Sequence, residues 1–140
     1  MVIQRWQNLL LFIAIILVGL SIATPLASVC SNDSVSSTPI YVYSLPVLLI
    51  LCSAIALLLV VALCRYKNLK QQKAITVMAL VLLCTALIIG AIIIAVVIPG
   101  ATPIWFGGLS LCVVAALCAA LAYRFIRKDI NLLRSYDRLR

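Results

Sequence analysis

Little on this chain could do covalent chemistry. Arg65-Tyr66-Lys67-Asn68-Leu69-Lys70-Gln71-Gln72-Lys73 puts four cations into nine residues without an acid, a run suited to holding phosphate or carboxylate groups. Acid–base work has almost nothing to draw on: the sequence holds three aspartates, Asp33, Asp129 and Asp137, and no glutamate or histidine. The commonest general base and metal ligand is therefore missing. Glycine-rich phosphate loops and nucleophile elbows are also absent. The six cysteines, Cys30, Cys52, Cys64, Cys84, Cys112 and Cys118, contain no Cys-x-x-Cys. A thiol oxidase or quinone-linked disulfide enzyme would present paired cysteines at the outer face, where Cys30 stands alone. The others read as small packing hydrophobes, and no intrachain disulfide is expected. These counts argue against an enzyme and imply no cofactor and no metal.

The elements around the basic run explain its position. Residues 34 to 64 carry no charge, and after Lys73 none appears until Arg124. With 66% apolar residues, 10% charged residues and a mean hydropathy of +1.29, the composition is that of an integral membrane protein. The net charge of +8 would raise nucleic acid in a soluble chain. Here retention of Lys and Arg in cytoplasmic loops is cause enough, and no nucleic-acid partner is expected.

Residues 1–140 read as a single membrane domain. The apolar run from Trp6 to Thr24 spans about 28 Å as a helix, close to a hydrocarbon core. Signal-peptide cleavage is the rival reading. Its site is poor, because Pro25-Leu26-Ala27 puts proline where a small residue is wanted, and Val29 before Cys30 disfavours a lipoprotein signal. The first span therefore stays as a helix that Pro25 ends. Ser28 to Tyr43, rich in Ser, Asn, Asp and Thr, reads as a surface loop. Spans over about 44–64, 74–98 and 104–123 follow, with Pro46 in the first turn of the second and Pro99-Gly100-Ala101-Thr102-Pro103 as a tight turn between the last two. Trp6, Tyr41, Tyr43, Trp105 and Phe106 fall at membrane interfaces.

Lys and Arg number one before the first span, four in the central loop and six in the tail, with none in the two opposite loops. The positive-inside rule then places both termini and the basic island in the cytoplasm. The expected fold is an all-α, four-transmembrane-helix antiparallel bundle with a C-terminal amphipathic cytoplasmic helix. Small residues at four-residue spacing mark its contacts: Gly19 with Ala23, Ala86 with Gly90, and Gly108, Cys112, Ala116 and Ala120. In the tail, Phe125, Ile126, Ile130, Leu132, Leu133, Tyr136 and Leu139 share one half of a helix, with Arg124, Arg127, Lys128, Arg134 and Arg138 on the other. That pattern suits a helix lying on the membrane surface. Asp129 falls in the apolar half with no cation three or four residues away, so it is expected to pair with Arg5 or with Arg65, Lys67, Lys70 or Lys73. Asp137 can reach Arg134 and Arg140 within its own helix.

The leader Ile3-Gln4-Arg5-Trp6-Gln7 and the ending Arg134-Ser135-Tyr136-Asp137-Arg138-Leu139-Arg140 resemble an uncharacterised family of four-helix membrane proteins from Bacteroidota. That family opens Met-Ile-Gln-Arg-Ile-Gln and closes Arg-Ser-x-Asp-Arg-Leu-Arg. Trp6 replaces the usual isoleucine. The resemblance implies an inner-membrane location and four spans, and it supplies no activity.

Two function classes stay open. The first is a non-catalytic subunit or assembly and scaffold factor. It docks a membrane or cytoplasmic protein, or anionic lipid head groups, through Arg5, Arg65, Lys67, Lys70, Lys73, Arg127, Asp129, Arg134, Asp137 and Arg138. The second is a carrier or channel for an uncharged or lipidic substrate. The charge pattern makes one direct prediction: reporter fusions after residue 36 read as external and fusions after residues 69 and 140 as cytoplasmic. A cytoplasmic signal at residue 36 would overturn the topology.

Overall fold

The computed structural model describes residues 2–30, 37–66, 68–97, 103–105 and 107–138. Four helices dominate: α1 (Val2–Ala23), α2 (Pro46–Cys64), α3 (Leu69–Val97) and α4 (Gly107–Arg138). Each contains an apolar stretch long enough to cross a membrane. Pro46 stands at the start of α2, where a missing amide costs little. The turn between α2 and α3 is short, with the Asn68 amide bonded to the Arg65 carbonyl at 3.0 Å. The Gln72 amide then bonds to the Asn68 carbonyl at 2.9 Å, which makes Asn68 the N-cap of α3.

α1 packs on α4 and α2, and α3 packs on α2 and α4, so the helices form a four-cornered antiparallel bundle with α1 and α3 on one diagonal. Each helix turns one stripe inward. The central core joins Leu11, Ala14 and Val18 of α1, Ile55, Leu59 and Ala62 of α2, Ala79, Leu83 and Ala86 of α3, and Ala115 and Ala122 of α4. Alanines are the natural choice here. Lipid tails are as apolar as a protein core, so helices associate through close backbone approach and dispersion rather than expulsion of water. The large side chains Phe12, Ile16, Leu20, Ile50, Leu57, Met78, Ile88, Ile92, Val96, Leu117 and Leu121 point outward on the helix surfaces. A water-soluble monomer rarely exposes so continuous an apolar belt.

Three features depart from the sequence reading. The first is a small sheet at the end away from the basic residues, where only loops were expected. β1 (Pro25–Cys30) pairs antiparallel with β2 (Ser37–Tyr41) on one side and β3 (Pro103–Trp105) on the other, in the order β2-β1-β3. Pro39 is tolerated because β2 is an edge strand, where an amide can be missing. A short 3₁₀ turn, Val42–Ser44, leads into α2, and the rings of Tyr41 and Tyr43 stack with centroids 4.8 Å apart. A second apolar cluster, Leu26, Ala27, Val42, Leu48, Cys52 and Ile94, fills the space beneath the sheet. The expected tight turn over residues 99–102 lies outside the described residues.

The second departure is that α3 begins at Leu69, so half of the basic island is helical. The third concerns the tail, which is helical as expected and is the direct continuation of α4 to Arg138 rather than a helix turned onto the surface. No glycine or proline follows Gly108, so nothing stops the helix at the membrane boundary. Of the tail's apolar half, Ile126 is buried, whereas Phe125, Leu132 and Leu133 are exposed.

The small-residue spacings fare unevenly. Gly90 and Ala86 are buried, and a Cβ at Gly90 would come within 3.3 Å of Leu109 Cδ1. Gly108 is tighter: a Cβ there would lie 3.0 Å from Leu26 Cα and 3.1 Å from the Pro25 oxygen. Gly19 and Ala23, by contrast, are exposed, and a Cβ at Gly19 meets nothing. The stripe of α1 runs instead through Leu11, Ala14, Val18 and Ser21. On α4 it runs through Cys112, Ala115, Ala119 and Ala122, leaving Ala116 and Ala120 half-buried at its margin.

These contacts separate two glycines that look alike in sequence. Gly108→Ala should lower the thermal denaturation temperature in detergent, by about 1–3 kcal/mol of stability, because its neighbours are main-chain atoms that cannot rotate away. Gly19→Ala should be neutral or slightly stabilising. Equal stability of the two variants would contradict the packing of β1 on α4.

Candidate functional site at the charged end of the bundle

Of the eleven Lys and Arg, all but Lys67 and Arg140 belong to the described residues, and these fall where α1 begins, α2 ends, α3 begins and α4 ends, which is one end of the bundle. Arg65 caps the C-terminus of α2, where a cation complements the partial negative charge of the last carbonyls. Its Nη1 donates to Gln71 Oε1 at 3.5 Å. Lys70 is exposed in the first turn of α3, and Arg124, Arg127 and Lys128 are exposed on α4. Lys73 is half-buried, its Nζ 5.8 Å from the centre of the Tyr123 ring on α4, within cation–π range. Lys67 lies outside the described residues, as do the side chains of Arg5, Arg134, Asp137 and Arg138. The backbones of those four are helical.

Asp129 is half-buried, in line with its place in the apolar half of the tail. Among the described side chains its partner is an amide; Arg5 and Lys67, two of the five expected cations, lie outside what is described. Gln7 Nε2 on α1 donates to Asp129 Oδ2 at 2.6 Å, while Arg65 and Lys73, expected as candidate partners, are engaged elsewhere. Helix geometry accounts for this. Asp129 lies six residues from Tyr123, which puts the two about 120° apart around α4, so Asp129 faces α1 while Tyr123 faces Lys73 on α3.

Gln7 belongs to a polar layer that sequence reasoning missed. Gln7 and Gln72 are each 1% exposed and Thr76 is fully buried. Gln72 Nε2 donates to Asn8 Oδ1 at 3.3 Å, joining α3 to α1 across the diagonal, and Thr76 Oγ1 donates to the Gln72 carbonyl at 2.8 Å. Among the described residues no buried side-chain nitrogen or oxygen lacks a partner. The available signal was weak. Gln7 and Gln72 sit one step from the edge of an apolar run, where glutamine would ordinarily be solvated, and only the tertiary structure shows that their neighbours enclose them.

Near the opposite end, Cys52 of α2 and Cys112 of α4 are both buried and face each other across the other diagonal, with the Ser21 hydroxyl beside Cys112. The sequence reading gave these cysteines separate packing roles and did not pair them. The five cysteines whose side chains are described are free thiols. No group of three or more metal-ligating residues occurs among the described residues.

The Gln7–Asp129 bond should carry measurable energy, because a hydrogen bond to a carboxylate is worth about 1.5–3 kcal/mol when solvent is partly excluded. Asp129→Ala should lower thermal stability in detergent within that range. In a Gln7→Leu background the same change should add little, since the bond is already lost. Fully additive effects would show that the two side chains do not act together.

No match was found among curated proteins or among solved structures. A family model does match the chain. The chain belongs to the DUF4293 family, a domain of unknown function that matches it over residues 3–139.

Proposed function

We propose that the protein is a non-catalytic component of the inner membrane, a subunit or assembly factor, whose basic end faces the cytoplasm and docks an acidic surface of a partner protein. One observation carries the reading. The helix alternation gathers the described Lys and Arg at a single end, and the only acidic side chain described there, Asp129, accepts a hydrogen bond from Gln7. That end therefore presents a field of one sign, which steers an oppositely charged partner and keeps the end on the cytoplasmic side.

The test compares captured proteins from mild detergent for the parent and for Arg65→Gln/Lys128→Gln, two exposed cations on different helices. A partner present in stoichiometric amount with the parent, and released both by the variant and by raised salt, is the expected result. Failure to find one, together with flux of a neutral solute through vesicles containing the purified protein, would favour a carrier instead.

A further inference from the structure

The contact of Lys73 with Tyr123 fixes which faces of α3 and α4 meet at the basic end. Residues three or four apart on a helix share a face, so Lys70 lies one turn beyond Lys73 on α3, and Arg127 one turn beyond Tyr123 on α4. Both are exposed. Three cations therefore flank the seam between these helices at the level where both apolar runs stop, since Ala74 follows Lys73 and Arg124 follows Tyr123. Asp129, the acid on α4 whose side chain is described, is held on the α1 side. Towards the membrane interior the outer flank of the seam is apolar, with Val77 of α3 and Val113 and Leu117 of α4 exposed.

From this arrangement we infer that the α3–α4 seam is a binding site for an anionic phospholipid, its phosphate held by Lys70, Lys73 and Arg127 and its acyl chains lying along Val77, Val113 and Leu117. The depth selects this occupant. A phosphate joined to hydrocarbon meets a cationic mouth directly below an apolar wall, which neither a soluble anion nor an acidic protein could fill on both counts. Lys73 adds to the case, because its side chain is half-buried with the ammonium held beside the Tyr123 ring, where a phosphate oxygen can take the place of water. The site extends the reading of the basic end without requiring a partner protein, and it uses cations other than Arg65 and Lys128.

Native mass spectrometry of delipidated protein, titrated with phosphatidylglycerol or phosphatidylcholine, tests the site. The parent should retain phosphatidylglycerol in preference. Lys73→Gln/Arg127→Gln should lower that retention by about tenfold or more, on the usual scale for two basic residues at a membrane surface. Arg65→Gln/Lys128→Gln removes the same charge elsewhere and should leave retention unchanged. An equal loss in that control would mean general attraction to the basic end and would overturn the site. An excess of inorganic phosphate should not displace the lipid, and displacement would also count against it. If the double variant loses its helical circular dichroism, Lys70→Gln at its exposed position carries the test, with a smaller drop expected and no drop overturning the assignment. Partner capture depends on Arg65 and Lys128, so either proposal can fail while the other stands.

Discussion

Hydrocarbon excludes charge, and a bare backbone amide or carbonyl costs several kcal/mol there. In this chain that constraint leaves the spans without an ionisable carboxylate, ammonium or guanidinium group and forces each to be helical. Lys73 and Arg124 are the first cations met on leaving the apolar runs of α3 and α4, and they mark the same boundary on two neighbouring helices. With two of the four helices crossing upward and two downward, the cations can share an end only because the chain places them in alternate connections.

Within that frame the closest association is between the first and last helices. α4 offers α1 a seam of alanines, Ala115, Ala119 and Ala122, where small side chains let the axes approach. The seam closes at the basic end with the Gln7–Asp129 bond and at the sheet end with Gly108 under Leu26. Both ends use a residue whose replacement would leave a defect in place: an unpaired buried amide at Gln7, or a steric clash at Gly108. The α1–α4 pair thereby acts as the spine against which α2 and α3 pack.

The sequence made the four spans, their approximate limits and the one-sided charge legible, because lipid acts on averages over about twenty residues that composition reports directly. It was a poorer guide wherever a single contact decides. The pairing of β1 with β2 was hidden because a polar stretch such as the sequence from Ser31 to Ser34 carries the same residue types whether or not its flanks pair. Gly19 with Ala23 and Gly108 with Cys112 have the same spacing, yet only the second pair faces a neighbour, since spacing does not tell which side of a helix points inward. Asp129 was legible as an acid turned toward protein. The amide it accepts from, Gln7 on the adjacent helix, was not, because the expectation sought opposite charge.

The two ends of the bundle are fastened by different means. At the sheet end, main-chain hydrogen bonds of β1 to both β2 and β3 sew together the end of α1 and the chain entering α2 and α4. At the basic end α1 is tied to its neighbours through side chains, with Gln7 donating to Asp129 of α4 and Gln72 of α3 donating to Asn8. The chain entering α4 is thus tied by main-chain bonds, whereas the far half of that helix, which runs about 48 Å over its 32 residues, meets α1 through a side-chain bond whose strength depends on the charge of one carboxylate.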